Sequence, residues 1–389
     1  MKSIFYILVL LLNSTFCLAQ TFTFNQGGTS SKKYYEEVPY ETINGKMFVS
    51  VEIAGQKHKF LFDTGAPVAI SKELATQAGS MAVHKDIFKD AFGNKDSSLA
   101  ISLDSIQLGK LIFNHLPAIT IIPDFYKCWH VDGVIGSNLL RNSIVSINPV
   151  KHIIILTDQE EKLPLKNKKS IPLTTTIGAQ TDPKIMVRFK DKIDVQLGFD
   201  TGDSNFLRIP EDYMNRLKKS GVYEIISKGF GANSISVMGA EKNADKYRLK
   251  IPFLNISDSR FENVFIETSK NAISGIGAKL LEYGIVTLDF IHNKFYFDAT
   301  NSSNDLNEKQ WPFQPTVTGD KLVIGVVWEK AINQVKPGQQ IIAVNDVDYS
   351  KINLCDMVNN KPILAGKETA TITVKDELGN IKKLQISKE

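Results

Sequence analysis

The sequence contains few cysteines and histidines, and their spacing indicates no metal site. Cysteine occurs three times in 389 residues, at Cys17, Cys128 and Cys355. Three widely spaced cysteines do not make the disulfide framework of a small secreted domain. The six histidines are scattered, and neither HExxH nor CxxC spacing occurs. We therefore expect neither a metal nor another cofactor.

The chain also lacks a strong excess of charge. Lysine and arginine total 46, aspartate and glutamate total 42, and the net charge is +4 without a long basic stripe. A nucleic-acid partner is therefore not expected. The G-x-S-x-G elbow of many serine hydrolases is missing. Two short G-x-G segments, at residues 229–231 and 275–277, do not complete G-x-G-x-x-G, so no nucleotide loop is indicated.

The N-terminus has the pattern of a secretory signal peptide. Lys2 precedes a short apolar run, and small residues follow up to Ala19. The run is shorter than the ~20 residues that span a bilayer, and no later segment is long and apolar enough to do so. We expect residues 1–19 to be removed and the protein to be exported to a periplasm or the extracellular space. Lipid attachment at Cys17 is disfavoured by the bulky Phe16 before it.

An internal duplication organises the next 280 or so residues. The tetrapeptide F-D-T-G at 62–65 recurs at 199–202, and F-G at 92–93 recurs at 230–231. Residues 134–148 match residues 275–289 at six of fifteen positions. These matches occur in one order at nearly one offset, so the chain contains two copies of one unit. Residues 20–160 form the first copy in this interpretation, and residues 161–300 form the second.

Each copy is predicted to be mostly β. Segments rich in β-branched residues alternate with turn residues, and a hairpin precedes each D-T-G. Residues 72–79, 137–141, 211–219 and 278–282 favour brief helices. Two polar stretches, residues 159–169 and 301–310, are interpreted as linkers. About 80 residues remain after the second linker.

The repeated D-T-G places an aspartate at the end of a rigid apolar strand. Glycine lets the backbone turn and lets another segment approach closely, and threonine can hydrogen-bond to a neighbour. A pseudo-twofold relation between the copies would bring Asp63 and Asp200 face to face. Two close carboxylates share a proton. The charged member can then activate water, while the protonated member hydrogen-bonds a substrate carbonyl.

These residues resemble the aspartic proteases of the pepsin and retropepsin clan. The resemblance covers roughly residues 35–300 and implies a mainly β, two-lobed double β-barrel. It implies that Asp63 and Asp200 are catalytic and that D-T-G neighbours support the active site. It also implies that the segments at 134–136 and 275–277 pack behind the active loops. The supporting residues are Thr64, Gly65, Thr201, Gly202 and Asp203.

Two further features of the resemblance concern the flaps and the second motif. In this clan a β-hairpin flap covers the substrate, and the F-G pairs lie where flap turns are expected. The resemblance therefore implies substrate contacts for Phe92, Gly93, Phe230 and Gly231. The second motif continues as D-T-G-D, where a small residue is usual. Asp203 could raise the proton affinity of the pair, or accept a backbone hydrogen bond while pointing away.

The C-terminal residues 311–389 carry a separate set of motifs. An apolar run at 321–328 precedes the segment K-P-G-Q-Q-I-I-A-V-N at 336–345. A Gly-Asn turn at 379–380 then indicates a hairpin. With these features the segment resembles a bacterial-type PDZ domain of α+β class. Such domains bind peptide ends by strand addition, so a peptide terminus is a possible partner. A small β appendage that packs on the second copy is the alternative.

The leading hypothesis is an exported aspartic endopeptidase that acts on peptides or proteins. A protein that keeps the cleft and binds peptides without cleaving them is the main alternative. A glycosidase with paired carboxylates is a further one, but the duplicated D-T-G has no role in it.

Overall fold

The structure is a computed structural model that describes residues 23–389 apart from 91–93, 177–179, 237 and 271–272. The predicted signal peptide, Phe92 and Gly93 lie outside the described residues. The chain is mainly β, as the sequence predicted. No helix among the described residues has the length and apolar character needed to cross a membrane.

The first copy contains eleven strands, numbered β1 to β11, and two short helices, α1 and α2. The strands are Gly28–Thr29, Tyr35–Ile43, Lys46–Ile53, Gln56–Asp63, Ala69–Ile70, Met81–Lys89, Lys95–Leu108, Leu111–Ile119, Gly133–Gly136, Ile144–Asn148 and Ile153–Thr157. The helices are Lys72–Gln77 and Ser137–Leu140, and 3-10 turns occupy Asp124–Trp129 and Glu160–Lys162. The helices predicted at 72–79 and 137–141 are present, each slightly shorter than expected.

The second copy contains strands β12 to β24 and helix α3, Glu211–Leu217. The strands are Ser170–Thr175, Pro183–Phe189, Ile193–Asp200, Leu207–Arg208, Glu224–Gly231, Ile235–Ser236, Gly239–Ala240, Ala244–Ile256, Ser259–Glu267, Gly275–Gly277, Gly284–Asp289, Lys294–Ala299 and Ser303–Asp305. Two 3-10 turns lie at Lys218–Ser220 and Ala278–Tyr283. The predicted linker at 301–310 is in part wrong, because β24 pairs in parallel with β20 along the lobe edge.

The C-terminal unit, defined here as Phe313–Ser387, contains strands β25 to β30 and helix α4, Leu354–Asn359. The strands are Phe313–Thr318, Lys321–Trp328, Gln340–Val344, Val347–Asp348, Thr369–Lys375 and Ile381–Ser387, and a 3-10 turn lies at Glu329–Ala331. The apolar run at 321–328 is β26, and the predicted hairpin is β29 and β30. The unit has its own apolar core.

Local turn chemistry explains the hairpin before each aspartate. In the first copy, β3 and β4 are joined by Ala54 and Gly55, whose φ angles are 50° and 75°. Two successive positive φ values fit the right-handed twist of the paired strands. In the second copy, a three-residue loop joins β13 and β14, and its first two residues, Lys190 and Asp191, also have positive φ angles, of 49° and 52°. Both hairpins deliver an aspartate at a strand end.

The two lobes share one six-stranded sheet, ordered β2–β11–β10–β22–β23–β12. At its centre Ser146 pairs with Thr287, and their hydroxyl oxygens are 2.9 Å apart. These two residues are equivalent in the duplication. A contact between equivalent residues is the signature of a twofold relation. One apolar core extends through both lobes.

Candidate functional site

The two D-T-G segments meet at the junction of the lobes. Asp63 ends β4 and Asp200 ends β14. Each of these strands pairs in parallel with the apolar-Gly strand of its own lobe, so that Asp63 is opposite Gly136 and Asp200 is opposite Gly277. A Cβ on either glycine would lie within 2.1 Å of backbone in the neighbouring active loop. These segments therefore pack behind the aspartate loops as expected.

Reciprocal threonine hydrogen bonds join the two loops. The backbone N–H of Thr64 donates to Oγ1 of Thr201 at 3.0 Å, and the N–H of Thr201 donates to Oγ1 of Thr64 at 3.1 Å. Each hydroxyl donates across the junction as well, to the carbonyls of Phe199 and Phe62. Both threonines are fully buried. Because buried polar groups need partners, this closed set fixes the position of one loop against the other.

The aspartates face each other across two glycines. The N–H of Gly65 donates to Oδ1 of Asp63 at 2.8 Å, and that of Gly202 donates to Oδ1 of Asp200 at 2.9 Å. A Cβ on Gly65 would lie 2.5 Å from the carboxyl of Asp200, and one on Gly202 would lie 2.2 Å from Oδ2 of Asp63. Each carboxyl thus lies against the backbone of the opposite loop, where only glycine fits.

The pair has a strongly perturbed proton affinity. Burial raises the pKa of Asp63 to about 8, and the nearby carboxyl of Asp200 contributes to the rise through its charge and a hydrogen bond. The Gly65 N–H and the Lys46 ammonium lower the pKa of Asp63, but by less. Lys46 also donates to the carbonyl of Gly202. At neutral pH the pair therefore holds one proton, which the two carboxyls share.

An arginine lies beside the other aspartate of the pair, Asp200. Nη2 of Arg208 lies 3.3 Å from Oδ2 of Asp200 and 3.2 Å from Oδ2 of Asp203. Oδ1 of Asp203 accepts hydrogen bonds from the backbone and side-chain nitrogens of Asn205. Asp203 is thus turned toward Arg208 and its own loop. The backbone hydrogen bond of the second alternative is present, but Asp203 does not point away from the site, because its Oδ2 contacts the same Arg208 nitrogen as Asp200.

A cavity of about 500 Å³ opens onto the aspartates. Its wall in the first lobe is apolar and includes Phe88, Ile119, Phe125, Tyr126 and Trp129. Its wall in the second lobe is more polar and includes Asp203, Ser204, Asn205, Arg208 and Ser236. Burial, followed by the charges of Asp63 and Asp200, raises the pKa of the Tyr126 phenol, so the hydroxyl stays protonated.

The expected flap role of Phe230 and Gly231 does not fit the structure. Both residues lie within strand β16, and not in a turn. The strand pairs with β19 and, at residues 229–231, with β26 of the C-terminal unit. Phe230 is half-exposed and borders a different depression from the aspartate cavity. The residues that line the aspartate cavity in this part of the second lobe are 234–236 and Met238, which follow β16 in the chain.

The cysteines form a connection that the sequence did not predict. Cys128 and Cys355 are disulfide-bonded, across a sequence separation of 227 residues. The bond links the 3-10 turn Asp124–Trp129, which lines the cavity, to helix α4 of the C-terminal unit. Two cysteines at such a separation carry no local signal of pairing. Lys46, Tyr126 and Arg208 belong to none of the sequence motifs either, so the sequence did not identify them as residues of the site.

This fold and site define a two-lobed, aspartic-protease-like protein. Residues 49–142 match the family model described as gag-polyprotein putative aspartyl protease. The matched segment contains the first D-T-G, and the match supports a protease-type function. No curated protein matches the sequence significantly.

Among solved structures, the chain is similar to basic 7S globulin from soybean. The two share 11% sequence identity, and the alignment covers 69% of this chain and 97% of that one. The TM-score is 0.39.

Proposed function

We propose that the protein is an aspartic endopeptidase in which Asp63 and Asp200 hydrolyse peptide bonds with an activated water. One observation carries the proposal: the reciprocal threonine hydrogen bonds hold two aspartates from duplicated loops face to face at the base of a cleft. This geometry supports a shared proton. It also supplies an acid and a base without a metal or a covalent intermediate.

The surroundings of the two carboxyls support different roles for them. Asp63 keeps its proton to about pH 8, so it hydrogen-bonds the substrate carbonyl and polarises it. Asp200 lies beside the Arg208 guanidinium, with 3.3 Å between Nη2 of Arg208 and Oδ2 of Asp200, so it is the member of the pair that adjoins a fixed positive charge. Asp200 therefore accepts a proton from the attacking water. The proton on Asp63 passes to the carbonyl oxygen as the water oxygen bonds to the carbonyl carbon, which gives a tetrahedral gem-diol. The C–N bond then breaks as Asp200 gives its proton to the leaving amine, and one gem-diol hydroxyl returns its proton to Asp63 as the carboxylic acid forms.

The support residues act through position. Thr64 and Thr201 fix the loops, and Gly65 and Gly202 allow the close approach of each carboxyl. Asp203 holds Arg208 near the pair. For Phe92 and Gly93, the proposal remains that they contact the substrate from a flap of the first lobe.

The test is cleavage of a peptide library by the wild type, Asp63→Asn and Asp200→Asn. We expect cleavage by the wild type, and a loss of at least about a thousandfold in kcat/KM for each variant. A matched control is Asp104→Asn, which changes a carboxylate on strand β7 outside the residues that line the cavity. If the wild type cleaves no peptide but binds them in the cleft, the peptide-binding alternative is correct.

We also propose that the protein is exported and that the C-terminal unit is PDZ-like. The N-terminal pattern at 1–19 supports export, and a disulfide between Cys128 and Cys355 fits an oxidising compartment. Strand β25 has β26 as its one strand partner among the described residues. Its outer edge is therefore where a peptide terminus would add. Binding of short peptides with free and amidated C-termini would test this.

A further inference from the structure

The apolar wall of the cleft depends on a short element outside the sheets. The 3-10 turn Asp124–Trp129 carries Phe125, Tyr126 and Trp129, whose rings contact one another at centroid distances of 5.2 to 5.6 Å. All three line the cavity above the aspartates. A six-residue 3-10 turn has poor hydrogen-bond geometry and little stability of its own. Something outside the turn must hold these rings in one arrangement.

Helix α4 of the C-terminal unit supplies part of that support, in addition to the first-lobe cluster in which Trp129 contacts Phe48. Cys355 is bonded to Cys128 in the turn, and the side-chain amide of Asn359 donates to the carbonyl of Cys128 at 3.1 Å. The indole N–H of Trp129 reaches the carbonyl of Val358 at 3.4 Å. The side chain of Val358 packs on the apolar cluster that contains Tyr126 and Trp129.

A further contact attaches the C-terminal end of α4 to the hairpin turn between β2 and β3. The side-chain amide of Asn44 donates at 2.7 Å to the carbonyls of both Val358 and Asn360. Asn44 also accepts, through its own carbonyl, a hydrogen bond from Ser204 of the second lobe. Helix α4 is thus joined to the first lobe at a point where the two lobes meet beside the cleft.

The C-terminal unit is also anchored on the second lobe. Strand β26 pairs with β16, and the guanidinium of Arg248 lies 4.1 Å from the ring centroid of Trp328 and donates to the carbonyl of Trp311. The side chain of Gln314 donates to both oxygens of Glu267. Because this end is anchored, α4 can act as a fixed support and not as a mobile appendage.

We propose that the C-terminal unit is a specificity-determining brace, in which Cys128–Cys355 and Asn359 position the aromatic wall that receives a large apolar side chain of the substrate. The proposal rests on the peptidase function proposed above. The cysteines and Asn359 are positioning residues, since none of them lines the cavity. Asp63 and Asp200 are mounted on β4 and β14, so the chemical step does not depend on the brace.

The proposal makes cleavage of apolar sites sensitive to reductant. An external dithiol transfers two electrons and two protons to the Cys128–Cys355 bond. Two thiols form in the protein, and the dithiol becomes its cyclic disulfide. The covalent part of the brace is then lost, while the threonine hydrogen bonds and the carboxyl pair stay in place.

The test compares the wild type with a Cys128→Ser/Cys355→Ser variant on two matched peptides. One peptide has a large aromatic residue at the cleavage site, and the other has alanine there. We expect KM for the aromatic peptide to rise about tenfold, the effect of losing well-packed apolar contact, with kcat changed less than about twofold. KM for the alanine peptide should change little. Lys383→Ala, an exposed change within the C-terminal unit, is the control and should leave both values unchanged.

Two further measurements decide the outcome if the serine variant misfolds. Asn359→Ala removes the contact to Cys128 and should raise KM for the aromatic peptide in the same selective way. Reduction of the folded wild type should do so too, and reoxidation should restore the original KM. If KM for the aromatic peptide is the same in folded protein with and without the Cys128–Cys355 disulfide, the proposed brace is refuted.

A readout without turnover separates this proposal from the peptidase function. Hydrogen exchange of residues 124–131 should accelerate on reduction, and Trp129 fluorescence should change. Affinity for an aromatic peptide with a hydroxyethylene group in place of the scissile amide should fall about tenfold. These effects can occur even if no peptide is cleaved, in which case the peptidase proposal fails and the brace stands. Unchanged exchange, fluorescence and affinity would refute the brace alone.

Discussion

Replacing Gly202 by alanine should damage the site through one steric contact. The added Cβ would lie 2.2 Å from Oδ2 of Asp63 and 2.4 Å from its Cγ. Ordinary contacts begin near 3.4 Å, so the Asp63 carboxyl or the loop must move by roughly 1 Å. A misplacement of about 1 Å can cost about a hundredfold in rate. Overpacking should also lower the free energy of unfolding by about 1–3 kcal/mol.

Gly198 offers a matched control on the strand that leads to the same motif. A Cβ at Gly198 would meet its nearest heavy atom, the carbonyl oxygen of Ser274, at 3.7 Å, which is an ordinary contact. The assay is kcat/KM on one peptide, together with urea unfolding of both variants. We expect Gly198→Ala to retain activity and Gly202→Ala to lose it. If the two variants have equal activity, the close approach of Asp63 to the opposite loop is not required, and the reasoning is refuted.

Further predictions concern the carboxyl pair and its supports. Because folding raises the pKa of Asp63 from 3.8 to about 8, the folded state holds a proton that the unfolded state releases, and stability falls as pH rises from about 4 to about 8. Asp63→Asn should therefore increase the free energy of unfolding by several kcal/mol near pH 8 and by little near pH 4, measured in urea at both values. Thr64→Val should cost about 3 kcal/mol in the same assay, because it leaves the Thr201 N–H and the Phe199 carbonyl without a partner, whereas Thr64→Ser should be nearly neutral. Arg208→Gln should lower kcat/KM by about tenfold or more, since Asp200 and Asp203 both lose the cation that contacts their Oδ2 atoms and fixes their position; an unchanged kcat/KM would exclude that role.

The sequence predicted those parts of the site that are marked by a short motif or by the internal repeat. Each D-T-G follows an apolar strand and a turn, and the duplication relates the two copies, so the meeting of Asp63 with Asp200 followed from symmetry. The mainly β character followed from β-branched runs and from turn residues such as those at 54–55. These features depend on interactions between residues that are near in sequence or repeated in it.

The features that the sequence did not predict depend on contacts between distant segments. Arg208 lies on a two-residue strand, and its nearness to Asp200 results from how that strand packs on β21. Phe230 looked like a flap tip because F-G often occurs in turns, but strand pairing with β26 extends that segment. The Cys128–Cys355 bond requires the placement of α4 on the first lobe. None of these contacts leaves a periodic or local pattern.

The pH dependence of kcat/KM for the wild type tests the central claim most directly. Asp63 must hold the shared proton during turnover, with a pKa of about 8 in the free enzyme. Cleavage should therefore persist at neutral pH and fall as the pH rises through about 8. A fall that is complete below about pH 5, or the absence of cleavage at every pH, would contradict this claim.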